Sequence, residues 1–191
     1  MAKVLKRHAT YEDLLRVPPE LVAEIVDGEL VTSPRPATPH ARTAGAIYRR
    51  IGDAFDDGDG GPGGWWILSE PEIHLRSDVL VPDIAGWRHS TLPVMPSAAA
   101  LTIVPDWICE VLSPSNEIYD RRKKMPTYAR HGVQWAWVVD PIERLIEVSR
   151  LTEGFWLNVG TYAGDETARM EPFEAIEIPL SRLWLTVPPA P

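Results

Sequence analysis

The sequence predicts an α/β or α+β domain: a mixed sheet with a helix packed beside each half. Three observations carry that expectation. Short runs rich in branched and aromatic residues, at 65–68, 79–84, 107–113 and 133–139, read as strands. Two longer segments, beginning near His40 and near Ser115, carry apolar residues or turn signals at helical spacing. Asp27-Gly28, set between apolar runs at 23–26 and 29–31, is the signature of a two-residue hairpin. With 191 residues, 45% of them hydrophobic, the chain can bury one core. Residues 1–191 are read as a single domain, with its core from about 11 to 184.

Taken in order, Thr10-Tyr11-Glu12-Asp13 has the spacing of a helix start, and Pro18-Pro19 ends that short helix. After the Asp27-Gly28 hairpin, Pro34, Pro36 and Pro39 interrupt the chain. A helix then places Ala41, Ala44, Ile47, Ile51 and Phe55 on one stripe. Residues 56–64 hold five glycines and one proline, a loop. Strands follow at 65–68 and 73–75, and a tight turn at 76–78 leads into the strand at 79–84. Residues 87–105 read as a loop. After the strand at 107–113, Ser115 or Asn116 can cap a helix that lasts to His131-Gly132. Pro126 suits only a first turn or a kink, so regular helix is expected from near Arg122. The strand at 133–139 ends at Asp140-Pro141. A hairpin around Glu153-Gly154 and an extended segment at 173–184 complete the reading.

Composition narrows the function. No apolar run approaches the roughly 18 residues that span a bilayer, and the basic start lacks the apolar stretch of a secretory signal, so a cytoplasmic protein with no membrane partner is expected. One cysteine, Cys109, excludes an internal disulfide and fits a reducing compartment. The formal charge of −8 argues against non-specific coating of nucleic acid. That charge is uneven: residues 115–131 hold two acids and five bases, whereas residues 140–191 hold nine acids and four arginines. The basic segment reads as a solvated helix face or as a patch beside a site.

Asp83 and Glu110 are the residues that demand explanation, because a carboxylate inside an apolar strand is costly unless paired, protonated or metal-bound. A divalent cation shared by the two, each on its own strand, accounts for both. Asp83 also suits a turn at a strand end, and Glu110 a buried ion pair with a lysine. Alternation puts Ile108, Glu110 and Leu112 on one face and Trp107, Cys109 and Val111 on the other. Asp120, Lys124 and Tyr128 share one helix face, so a helix returning over its strand brings Lys124 to Glu110. Glu24 reads as a hairpin residue, His40 as a helix start and Cys109 as packed. Trp65-Trp66 is the exposed candidate for stacking on a base or sealing a dimer.

Val81-Pro82-Asp83, Glu110-Val111-Leu112-Ser113-Pro114-Ser115, Asp120 with Lys124 and Tyr128, Gly132-Val133 and Val138-Val139-Asp140-Pro141 together resemble the Uma-type restriction endonuclease family of the PD-(D/E)XK nuclease superfamily. The hairpin at 24–30 and the Ser33-Pro34…His40 segment match it too, so the likeness runs from about Tyr11 to Trp184. The resemblance implies a restriction-endonuclease-like mixed β-sheet core flanked by helices, with an extra N-terminal hairpin and a C-terminal β-hairpin. It implies hydrolysis of nucleic-acid phosphodiesters, of DNA first, with Mg²⁺ or Mn²⁺. Asp83, Glu110 and the Val111 backbone carbonyl would be ligands, as hard cations choose oxygen donors. Lys124 would orient or deprotonate water, or stabilise charge, since Leu112 fills the slot where many such nucleases carry a lysine. Glu24, His40 and Tyr128 would be accessory, and Arg121, Arg122 and Lys123 would meet nucleic acid. A homodimer is expected from the two-fold habit of small nucleases, with Phe155-Trp156 or Trp65-Trp66 at its interface. A non-cutting binding or assembly module on the same fold, and a hydrolase of another phosphodiester, are the alternatives.

Overall fold

The computed structural model describes residues 2–185. Its strands form a five-stranded antiparallel sheet, a six-stranded mixed sheet and a two-stranded ribbon. The first contains β1 (Lys3–Arg7), β3 (Glu29–Pro34), β2 (Leu21–Val26), β6 (Asp78–Leu80) and β5 (Ile73–Leu75), in that spatial order. The second runs β11 (Phe155–Ala163), β10 (Leu145–Thr152), β9 (Trp135–Asp140), β8 (Trp107–Val111), β7 (Ile84–Arg88) and β4 (Trp65–Ser69). Among the named strands of the described residues, only β8 and β9 pair in parallel. The connection between them is the helical run from α3 (Glu117–Tyr119) through a π turn (Asp120–Lys124) to α4 (Met125–His131). A parallel pair needs such a crossover.

Local chemistry explains most of these elements. Asp27 (φ 52°) and Gly28 (φ 74°) both take positive φ between Val26 and its partner Glu29, as a two-residue hairpin with native twist requires. Glu153 and Gly154 repeat the arrangement between Thr152 and Phe155. Short helix α1 (Tyr11–Leu14) starts at Thr10 with a reciprocal capping box to Asp13. Gly132, at φ 87°, ends α4 in the left-handed region.

The centre of the six-stranded sheet is buried on both faces. Trp107, Cys109, Val111, Trp137 and Val139 pack with Ala46, Ile47 and Ile51 of α2 (Thr38–Ile51) and with Phe173. Ile108, Leu112, Ala136 and Val138 pack instead with Met125 and Tyr128 of α4 and with Val26, Ile73 and Leu80 of the smaller sheet. The alternation expected along β8 is therefore observed, and Glu110 lies on the face covered by α4.

Several expectations need correction. One sheet was expected and two are found, with the N-terminal hairpin belonging to the smaller. The strand expected at 79–84 is cut: β6 ends at Leu80, and Val81-Pro82-Asp83 carries the chain from one sheet to the other before β7 begins. Pro82 has no N–H for a ladder, so the break falls there. Asp83 thus sits on a link, not on its own strand. Trp87 lies in β7 and not in the loop expected from 87. The helical run starts at Glu117 after Asn116, as expected, and Pro126 stands in the first turn of α4; regular helix begins at Met125, beyond the π turn, and not near Arg122. On α2 the buried face is Thr43, Ala46, Ile47 and Ile51, while Ala41 is exposed and Ala44 half-buried. Residues 173–184 are mostly turns; only β13 (Ile178–Pro179) is extended, paired with β12 (Thr167–Ala168). Trp65 is buried against Phe173, and Trp66 is half-buried with its Nε1 donating to the Leu92 carbonyl, so this pair is no exposed platform.

Candidate active site

Eight polar or charged side chains are buried among the described residues, and four of them, Glu24, Glu110, Asp120 and Lys124, line one cavity of about 300 Å³. Asp83, His40, Arg35, Glu70, Asn116 and three serines, Ser33, Ser113 and Ser115, add to its polar lining, and Val111 also borders it. Five carboxylates there face two permanent cations, Lys124 and Arg35, so the cavity attracts positive charge.

Backbone geometry places Asp83. The register of β7 on β8, with Ile84 opposite Cys109, would put Pro82 opposite Val111. The chain has already left the sheet at that point, and the Val111 N–H donates instead to Asp83 Oδ2 at 2.7 Å. The N–H and C=O of a strand residue point to the same side, so the Val111 carbonyl faces the same edge. The other Asp83 oxygen, Oδ1, lies 3.2 Å from Nε2 of His40, in the first turn of α2. Burial works against charge on His40, but its hydrogen bond to Asp83 and the charges of Asp83, Asp120 and Glu70 outweigh it and raise its pKa.

Glu110, 2% exposed, comes from the middle of the sheet. Its Oε1 accepts from Tyr128 Oη at 2.6 Å and from Lys124 Nζ at 2.8 Å. Burial pushes its carboxyl well up, Lys124 opposes this, and the charges of Asp120, Asp83 and Glu24 add to the rise. Lys124, 4% exposed, reaches across from the π turn. Its ammonium is 3.0 Å from Glu24 Oε1 and donates to the Val81 carbonyl at 3.1 Å. Desolvation opposes its charge, yet Glu110, Glu24, Tyr128 and Asp120 hold its pKa well above that of free lysine. Glu24 Oε1 also accepts from the Val81 N–H at 2.9 Å, tying β2 to the link that carries Asp83.

The residues fit a hard divalent cation. Asp83, Glu110 and the Val111 carbonyl offer oxygen donors at one wall, and Glu110 Oε2 has no hydrogen-bond partner among the described residues. The charges of Asp83, Asp120 and Glu24, which push the Glu110 carboxyl up, would be offset by a cation among them. Among the described residues no three His, Cys, Asp or Glu side chains converge as a metal cluster.

The sequence-predicted residues separate into two groups. Asp83, Glu110, Lys124, Glu24, His40 and the Val111 backbone come together at the cavity, and Tyr128 supports it from behind through Glu110. The basic cluster does not join them. Arg121 is paired with Glu147 at 2.5 Å and Glu117 at 3.2 Å, and Lys123 lies 3.6 Å from Glu29; Arg122 is exposed. Asp120, Asn116, Arg35 and Glu70 were not singled out as site residues. Only Asp120 had a local signal, its shared helix face with Lys124.

No curated protein matches the chain. Among solved structures, the chain is similar to a "putative nuclease belonging to DUF820" from Anabaena variabilis, with a TM-score of 0.73 and 21% identity over 92% of this chain and 97% of that one. At that identity the likeness concerns the fold alone, a mixed α+β arrangement. Among the described residues, no helix is long and apolar enough to cross a membrane. A family model described as "Uma2: Putative restriction endonuclease" matches residues 9–181, and the chain belongs to that family.

Proposed function

We propose that this protein is a metal-dependent endonuclease that hydrolyses phosphodiester bonds of DNA. The observation that carries the proposal is the Lys124 ammonium, fixed between Glu110 and Glu24 in the acidic cavity that Asp83 also lines. Asp83, Glu110 and the Val111 carbonyl would hold Mg²⁺ or Mn²⁺. Such an ion, when bound, lowers the pKa of a water and neutralises charge on the phosphate. Lys124 keeps Glu110 oriented and adds positive charge where the phosphoryl oxygens gain negative charge. His40 orients Asp83 from the opposite side, and Tyr128 fixes Glu110 by its hydroxyl. The protein acts in the cytoplasm, as one domain, and as a homodimer. The edge strand β11 supplies the interface through Phe155, which is 77% exposed; Trp65-Trp66 is no longer available for it.

Single-turnover cleavage at saturating enzyme tests the role of Lys124. Lys124→Met is expected to slow the chemical step about 10²-fold or more. Lys123→Ala is expected to weaken substrate binding and its salt dependence instead. Removing a buried partner of two carboxylates costs about 3–5 kcal/mol, so circular dichroism must first show that Lys124→Met is folded. Lys124→Arg, which keeps the charge, serves as the second variant. Wild-type rates in folded Lys124→Met would refute the assignment. A non-cutting binding or assembly module is the second reading. It is favoured by the formal charge of −8 and by the pairing of Arg121 and Lys123 with acids, which leaves Arg122 without an ion pair. Binding of nucleic acid without metal-dependent cleavage by wild type would establish it.

A further inference from the structure

We infer that Asp120 is a catalytic residue of this site, the group that takes the proton from the attacking water; the inference rests on the nuclease reading above. Each other charged side chain lining the cavity has a partner among the described residues. Lys124 pairs with Glu110 and Glu24 and donates to the Val81 carbonyl. Asp83 accepts from the Val111 N–H and faces His40 Nε2. Glu110 accepts from Tyr128 and Lys124. Asp120 alone is a buried carboxylate, 7% exposed, that lines the cavity with no hydrogen bond or ion pair to its side chain among the described residues.

Burying a carboxylate without a partner is costly, so something at the cavity must meet it. Its backbone N–H is anchored to the Asn116 carbonyl at 2.9 Å, in a π turn, a distortion often found at functional sites. A second observation points to water or substrate at the same wall. Four buried side-chain atoms lack a hydrogen-bond partner among the described residues, and two belong to residues that line the cavity with Asp120: Asn116 Oδ1 and His40 Nδ1. Asn116 stands one helical turn before Asp120, and the charge of His40 acts on it. The charged and titratable groups facing Asp120 are Lys124 on its own element, Glu24 on β2, Asp83 on the link, Glu110 on β8, His40 on α2 and Tyr119. Burial pushes the Asp120 carboxyl up first, Lys124 opposes this, Glu24 and Asp83 reinforce it, and it comes to about 7.

The step balances without a further reagent. A water O–H bond breaks and its proton passes to an Asp120 oxygen. The water oxygen bonds to phosphorus, and the bond from phosphorus to the sugar oxygen breaks. The departing oxygen takes a proton from solvent, giving a phosphomonoester and a hydroxyl. Asp120 then returns its proton to solvent.

The test uses the full chain with Mn²⁺ and a plasmid substrate, comparing wild type, Asp120→Asn and Asp120→Glu in single-turnover cleavage and in Mn²⁺ calorimetry. Asp120→Asn is expected to bind Mn²⁺ as wild type does and to cut about 10²-fold more slowly or worse. Asp120→Glu is expected to recover part of the rate, and the acidic limb of the wild-type pH–rate profile is expected to vanish in Asp120→Asn. Wild-type cleavage by Asp120→Asn, or an unchanged limb, would overturn the assignment alone. Loss of Mn²⁺ binding in Asp120→Asn would make Asp120 a ligand and overturn it too. A wild type that cuts nothing would bring down the nuclease reading itself, and this inference with it.

Discussion

Replacing Asp120 by asparagine is expected to stabilise the metal-free protein, and to do so only as pH rises. An ordinary aspartate carboxyl titrates at 3.8, whereas burial, opposed by Lys124 and aided by Glu24 and Asp83, moves that of Asp120 to about 7. Between those values the folded chain holds a proton that the unfolded chain has released. The unfolded state binds fewer protons there, so stability falls as pH rises from about 4 to about 7, and the loss is complete above that window. A window about three pH units wide, at about 1.4 kcal/mol per unit, sets an upper limit of about 4 kcal/mol. Water entering the cavity would bring the effect nearer to about 2 kcal/mol. Asparagine keeps the shape and has nothing to ionise. For a chain of this size the gain corresponds to about 2–4 °C in Tm for each kcal/mol. The assay is thermal unfolding followed by circular dichroism in chelator from pH 4 to pH 8, wild type beside Asp120→Asn. The two are expected to coincide at the acid end and to separate steadily towards pH 8. An equal Tm at pH 8, or a difference that does not grow with pH, would refute the reasoning. A variant both more stable and inactive would mark Asp120 as a residue kept at the expense of stability.

Tyr128→Phe removes the hydroxyl that donates to Glu110 Oε1 at 2.6 Å in a fully buried setting. The loss is expected to cost about 1–3 kcal/mol, read as a lower urea midpoint with an unchanged slope; an unmoved midpoint would contradict the geometry. Phe155→Asp, on the edge strand β11, is expected to convert a dimer to a monomer in light scattering. A wild type that is already monomeric at micromolar concentration would remove the dimer. Gly86→Ala is expected to destabilise the six-stranded sheet, because a Cβ there would lie 3.0 Å from Ile67 Cδ1 and 3.2 Å from Trp107 Cε3. Such crowding costs about 1–3 kcal/mol, and a thermal midpoint equal to that of wild type would show that the neighbours yield.

What was legible in the sequence was mostly local. Asp27-Gly28 and Glu153-Gly154 state their turns because positive φ at both positions is a property of the dipeptide itself. The phase of Asp120, Lys124 and Tyr128 follows from helix geometry, and the alternation around Glu110 from strand geometry; both placed the right side chains on the right faces. The failures come from contacts distant in sequence. Val79 to Ile84 is continuous by periodicity, and nothing short of the second sheet shows that Pro82 marks a change of sheet. Glu24 reads as an ordinary hairpin acid until Lys124, a hundred positions along, lands beside it. Trp65 looked exposed because a glycine loop precedes it, yet Phe173 from the far end of the chain covers it. The basic run at 121–124 looked uniform, but tertiary packing sends Lys124 inward and pairs Arg121 and Lys123 with acids on β10 and β3.

The central claim is that Asp83 and Glu110 serve metal-dependent phosphodiester hydrolysis, and plasmid nicking tests it most directly. Purified wild type is expected to convert supercoiled DNA to nicked or linear forms with Mg²⁺ or Mn²⁺ and to stop in chelator, while Asp83→Ala, prepared in parallel, leaves the DNA intact. Equal nicking by Asp83→Ala, or no nicking by wild type with either metal, would contradict the account.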